Sequence, residues 1–175
     1  MRGNDLIQSF APGASPVGEA ADARPLEGLR RLARVAAIQV LYQAAMTQTP
    51  IASVAGQFEE HRLDHDIDGL ALKADRAFFR RLTKGIAGDA AALGMLVQEK
   101  LKNRQVGRME YVLQAILMTG AYELQTLKDV PPRSTIDEYT EIAAAFFDEG
   151  ERKLVNAVLD RMARELRPDD FPAAQ

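Results

Sequence analysis

The sequence predicts an all-α protein, a compact bundle of about six or seven helices. Three observations carry this. Apolar residues recur at three- and four-residue spacing in every long segment. No segment alternates with period two over a useful length. Proline, glycine and clustered polar residues fall between the periodic segments. With 175 residues, 47% hydrophobic and 27% charged, the chain suits one domain of ordinary size plus short tails.

Residues 1–24 are rich in Ala, Gly, Pro and Ser without a period, and read as a flexible tail. The helical domain is expected over 25–168, with a short tail over 169–175. From Leu29, the residues Leu32, Ala33, Ala36, Ala37, Val40, Leu41 and Ala44 form one broad apolar face. Thr49-Pro50 offers an N-cap followed by proline at the first helical position, and Ile51, Val54, Ala55 and Phe58 make a short second helix. "HRLDHDIDGLALKAD" reads as a polar connection. Asp75 can cap the next helix, with Phe78, Phe79, Leu82 and Ile86 inward. Gly85 and Gly88 are expected to break it before Leu93, Leu96, Val97 and Leu101. The strongest helix spans Met109 to Leu127. "KDVPPRST" ends it, and Ser134 and Thr135, each with an acid three residues on, predict a capping-box start for a helix running to about Phe147. "DEG" interrupts. A last helix carries Leu154, Val155, Val158, Leu159, Met162, Ala163 and Leu166 inward, and Pro168 closes it.

Charge is uneven although the net value is only −3. From Arg24 to Met46 there are four arginines (Arg24, Arg30, Arg31 and Arg34) and one acid, Glu27, whereas residues 47–70 hold five acids and a single arginine. Advancing about 100° per residue from Ala33, Arg30 and Arg34 fall on one flank of the inward face. Arg31 falls nearly opposite, among Val35, Ile38, Tyr42 and Met46. The first helix therefore has two apolar sides, the second either covered by the fold or left for a partner. Three guanidiniums at a helix N-terminus oppose the macrodipole and one another, costs that a bound anion would relieve. A solvated flank paired to acids elsewhere is the competing reading. Tyr42 is ambiguous between core and contact surface.

Much chemistry is absent. There is no cysteine, which excludes disulfides, Cys-ligated zinc and thiol catalysis and fits a reducing compartment. No phosphate-loop, dinucleotide, nucleophile-elbow or zinc-protease motif occurs, so no catalysis, cofactor or metal is expected. His61 and His65 read as solvated surface residues. Asp64, Asp66, Asp68 and Gly69 occupy the first, third, fifth and sixth places of a calcium loop, with Asp75 twelfth. The twelfth place wants glutamate, however, and no paired loop exists, so the stretch reads as connection. No apolar run could cross a membrane and the N-terminus lacks a signal-peptide pattern, which predicts a cytoplasmic protein.

Three spaced stretches resemble a known family. "RRLARVAAIQVLYQ", "AYELQTLKDVPPRSTIDEYTEIAAAFF" and "RKLVNAVLD" are similar, in order, to motifs of the bacterial transcription antitermination factor NusB family, over roughly residues 29–168. The resemblance implies an all-helical fold of two subdomains. It also implies binding to the boxA segment of nascent RNA, pairing with NusE (a small-subunit ribosomal protein), and entry into an antitermination complex with RNA polymerase on ribosomal RNA operons. Carried across residue by residue, it assigns RNA contacts to Arg30, Arg31 and Arg34 in the first helix and to Arg152, Lys153 and Asn156 at the start of the last. It assigns the partner surface to Tyr42, Glu110, Leu113 and Gln114. Some relatives dimerise through the surface that otherwise meets RNA or NusE, so a homodimer is also allowed. The chain departs from the family pattern at Met118, Ala144, Leu154 and Ala157, the first two replacing basic residues.

Two other function classes stay open on sequence. Small-subunit ribosomal RNA cytosine methyltransferases carry a similar N-terminal helical domain, although this chain has no cysteine for that chemistry. A protein-interaction bundle using the Val35, Ile38, Tyr42 and Met46 face would ignore RNA. The RNA reading predicts that Arg31→Ala and Arg34→Ala weaken boxA binding without unfolding the protein.

Overall fold

The computed structural model describes residues 25–63 and 74–171. The expected N-terminal tail, His65 and the calcium-like positions Asp64 to Gly69 lie outside the described residues. Six α-helices occur in the order α1 (Pro25–Thr47), α2 (Ile51–His61), α3 (Arg76–Lys100), α4 (Tyr111–Thr126), α5 (Pro132–Ala144) and α6 (Glu149–Leu166). Short 3₁₀ turns cover Val106–Arg108 and Pro168–Asp170. Among the described residues there is no strand, and no helix is long and apolar enough to cross a membrane. The chain divides into two compact units, Met1–Lys84 and Gly85–Gln175, the division falling within α3.

In the first unit α1 packs on α2. Ala33, Ala36, Ala37, Val40, Leu41 and Ala44 are buried as their spacing predicts, as are Val54, Ala55 and Phe58 of α2 and Phe78, Phe79 and Leu82 of α3. Asp75 caps α3 as expected, accepting from the Phe78 N–H at 2.9 Å, while its own N–H donates to the Leu29 carbonyl at 3.0 Å. Thr49 does not cap α2. Pro50 occupies the cap position with an extended ψ of 137° and no side-chain bond. Its carbonyl receives the Ser53 and Val54 N–H groups. The chain has already turned at Gln48, whose φ of 53° lets the Thr49 N–H reach back to the Ala44 carbonyl at 3.1 Å and close α1.

In the second unit α4, α5 and α6 pack on one another. They meet at Gly120, where a Cβ would lie 2.9 Å from Leu159 Cδ2 and 3.3 Å from the Tyr139 ring. Beside it lies a buried carboxylate. The Glu123 carboxyl accepts hydrogen bonds from the Thr135 hydroxyl at 3.1 Å and the Tyr139 hydroxyl at 2.9 Å, which satisfies polar atoms that burial takes out of water. Thr135 is thus a core partner and not a helix cap. Pro131 stands outside α5 in an extended conformation and Pro132 enters at its first position, so α5 starts before the expected capping box and ends at Ala144. α3 runs on past Gly85 and Gly88 and kinks one residue later, at Asp89 (φ −135°, ψ 21°). α4 begins two residues later than expected because a 3₁₀ turn takes the preceding segment.

The C-terminal end of α3 is tied into this unit. Arg161 donates to the Lys100 carbonyl at 2.7 Å. The Lys100 ammonium is held above the usual lysine range chiefly by its hydrogen bond to Glu165, then by Glu99. Arg167, buried, donates to the Val130 carbonyl at 2.6 Å and to Asp170 at 2.7 Å, anchoring the chain after α6 to the α4–α5 loop.

Candidate nucleic-acid interface

The predicted residues divide between the two units: Arg30, Arg31, Arg34 and Tyr42 lie in the first, and Arg152, Lys153, Asn156, Glu110, Leu113 and Gln114 in the second.

The α1 arginines are packed and not splayed into solvent. Arg34 is only 4% exposed, and its guanidinium carbon lies 5.1 Å from the centroid of Phe78. The Arg30 guanidinium lies over the same ring at 5.1 Å, with its Nε 3.9 Å from Asp75 Oδ2 and making no hydrogen bond. Arg31 is half-buried. Phe78 is itself buried, so the ring is a fixed platform on which two cations lie at short range. That attraction answers part of the repulsion expected between neighbouring guanidiniums. It also gives Arg34 a packing role, so that its removal should carry a cost in stability. Of the second apolar face of α1, Val35 and Ile38 are covered by the fold, whereas Tyr42 is half-buried and Met46 is 51% exposed.

The first turn of α6 differs. Arg152, Lys153 and Asn156 are all exposed. Asn156 therefore does not serve a buried carbonyl. Lys153 pairs with Glu149 at 2.7 Å on the helix surface. Leu154 and Ala157, two of the departures from the family pattern, are half-buried beside them.

Glu110 precedes α4 and is exposed, Leu113 is buried, and Gln114 is half-buried, its amide donating to the Met109 carbonyl at 2.7 Å. Glu110 and Leu113 line a groove of about 430 Å³ with Asn103, Arg104, Gln105, Arg108, Met109, Phe147 and Glu151. Arg104 reaches Glu151 at 3.5 Å, which fixes the 102–108 loop beside the first turn of α6.

The NusB family model matches residues 31–164 of the chain. The chain belongs to the NusB family. Transcription antitermination protein NusB of Rhizobium etli (strain CIAT 652) is 42% identical over 80% of this chain and 89% of its own length. The protein of the same name from Bradyrhizobium diazoefficiens is 42% identical over 81% and 87%. Among solved structures, T. maritima NusB superposes with a TM-score of 0.67 at 29% identity, covering 81% of this chain and 96% of that one. These names describe a transcription factor and not a catalyst.

Beyond the residues the motifs nominated, the groove adds Arg104, Arg108 and Phe147. A sequence signal for the first two existed: "KNRQVGR" places three cations in seven residues with no acid.

Proposed function

We propose that this chain is a non-catalytic transcription antitermination factor that binds boxA-type single-stranded RNA of nascent transcripts together with NusE, within the RNA polymerase complex in the cytoplasm. The observation that carries the reading is the family match over residues 31–164, with relatives of that name aligned over most of their own length. The residues support it in physical terms. Exposed Arg152 and Lys153 and half-buried Arg31 suit phosphate contacts, exposed Asn156 suits a base edge, and Arg30 and Arg34 on Phe78 hold the α1 N-terminus in place behind Arg31. Tyr42, Glu110, Leu113 and Gln114 are assigned to NusE. In domain terms, 25–168 is the binding domain.

The test is gel-shift titration of a boxA oligonucleotide with and without NusE, followed by sizing of the complex. Binding should weaken with salt at a log–log slope near −2 if about three phosphates are neutralised at about −0.7 each. Arg31→Ala and Arg152→Ala should each lower affinity about fivefold at 0.1 M salt. Unchanged affinity in both variants would remove the site assignment. Sizing separates monomer from homodimer, and no association with RNA or NusE would leave a helical interaction module.

A further inference from the structure

We infer that the 102–108 loop is an additional single-stranded RNA contact, with Arg104 and Arg108 taking phosphates and Phe147 offering a face to a base. This deepens the RNA-binding reading above and rests on it.

The loop is a concentrated, acid-free basic segment of the second unit. Lys102, Arg104 and Arg108 are exposed, as are the amides Asn103 and Gln105 between them, and no acid interrupts the run. Lys102 and Arg108 have no ion pair among the described residues, and neither does Arg152. These are charges the fold does not neutralise.

The loop is also held in shape. Gln98 clamps it from α3, its Nε2 donating to the Arg104 carbonyl at 3.1 Å and its Oε1 accepting from the Val106 N–H at 2.9 Å. The 3₁₀ turn then carries Arg108 to the groove rim, with Arg108 N–H to Gln105 O at 3.0 Å. A preformed loop loses little conformational entropy on binding.

The groove supplies the second half of single-strand recognition. Half-buried Phe147 and Met109 line its wall among the cations and amides. Sequence-tolerant binding of single strands combines cations along the backbone with aromatic faces for bases. The 3.5 Å link from Arg104 to Glu151 places the loop one residue from Arg152, so a strand lying on the first turn of α6 meets the loop next. Glu151 is the one acid that directly contests a phosphate for Arg104. Glu110 and Leu113, on the same groove, remain with the protein partner.

The test compares the full chain with Arg104→Gln/Arg108→Gln on boxA RNA and on oligouridylate of equal length. With these two contacts added to the three above, the wild-type slope becomes about −3.5, and their loss predicts about twentyfold weaker binding at 0.1 M salt and a slope shallower by about 1.4, by the same factor for both RNAs, because neither phosphate contact nor stacking reads sequence. Glu151→Gln should tighten binding. If Arg104 serves only to hold Glu151, Glu151→Gln will instead weaken binding as the double variant does, which overturns the inference. Wild-type affinity and slope in the double variant overturn it while leaving the function intact, and retained RNA affinity with lost NusE co-purification gives the groove to protein alone. Failure of the wild-type chain to bind either RNA sinks the RNA-binding reading itself.

Discussion

Arg34 in α1 lies buried over Phe78, with Arg30 over the same ring and Asp75 nearby, whereas Arg108, Lys102 and Arg152 in the second unit are exposed and meet no acid among the described residues. In sequence the two groups look alike, as short runs of cations at the edge of a helix. Their surroundings separate them. A guanidinium over a buried ring has lost part of its hydration and gained a packing role, so removing it disturbs the fold. A solvated guanidinium with no partner contributes little to stability and is open to an anionic ligand. Density of positive charge is therefore a poor guide to where a polyanion binds; the share of that charge already answered by the fold is a better one.

The largest effect that would break this contrast comes from Phe78→Ala. The ring is buried and supports two cations. Its loss should cost about 3–5 kcal/mol, read as a lower midpoint in urea unfolding. A loss below about 1 kcal/mol would mean that the arginines do not depend on the ring, and the two clusters would then be alike.

Arg34→Ala comes next. Loss of a desolvated cation–aromatic contact and of the packed aliphatic stem should cost about 2 kcal/mol, whereas Arg108→Ala should stay within about 0.5 kcal/mol. Thermal unfolding of the two variants side by side checks the difference, and equal losses would erase it.

These outcomes bear on what the sequence could reveal. The helix faces were legible because burial follows the 3.6-residue period: Ala33, Ala37, Val40, Phe78, Leu82, Val155 and Leu159 are all buried where spacing placed them. Asp75 was legible because an N-cap is a local device. Thr135 was not, because its partner Glu123 sits on another helix and the Pro131-Pro132 pair starts α5 early. The ring under Arg30 and Arg34 was not legible for the same reason. Phe78 is over forty residues from Arg34 in sequence, and no local pattern reports a ring brought in by the tertiary fold. The family motifs name candidate residues, but carry no information on which cations among them the fold leaves exposed.

The smallest effect sharpens the contrast at Lys153, the one nominated cation of α6 that is already paired. Lys153 and Glu149 are each 73% exposed and 2.7 Å apart at i, i+4. Such a pair is worth about 0.3–0.5 kcal/mol, and Glu149, at the first position of α6, also meets the positive end of the helix dipole. Glu149→Gln should therefore lower stability slightly, by under about 1 kcal/mol. The same change frees the ammonium and removes a like charge from the path of a phosphate, so RNA affinity should rise about twofold, the equivalent of the pair's about 0.4 kcal/mol. Stability and affinity move in opposite directions only if Lys153 is shared between an intramolecular acid and an external anion. A purely structural pair lowers stability and leaves affinity where it was, which places Lys153 with Arg34 and outside the binding surface.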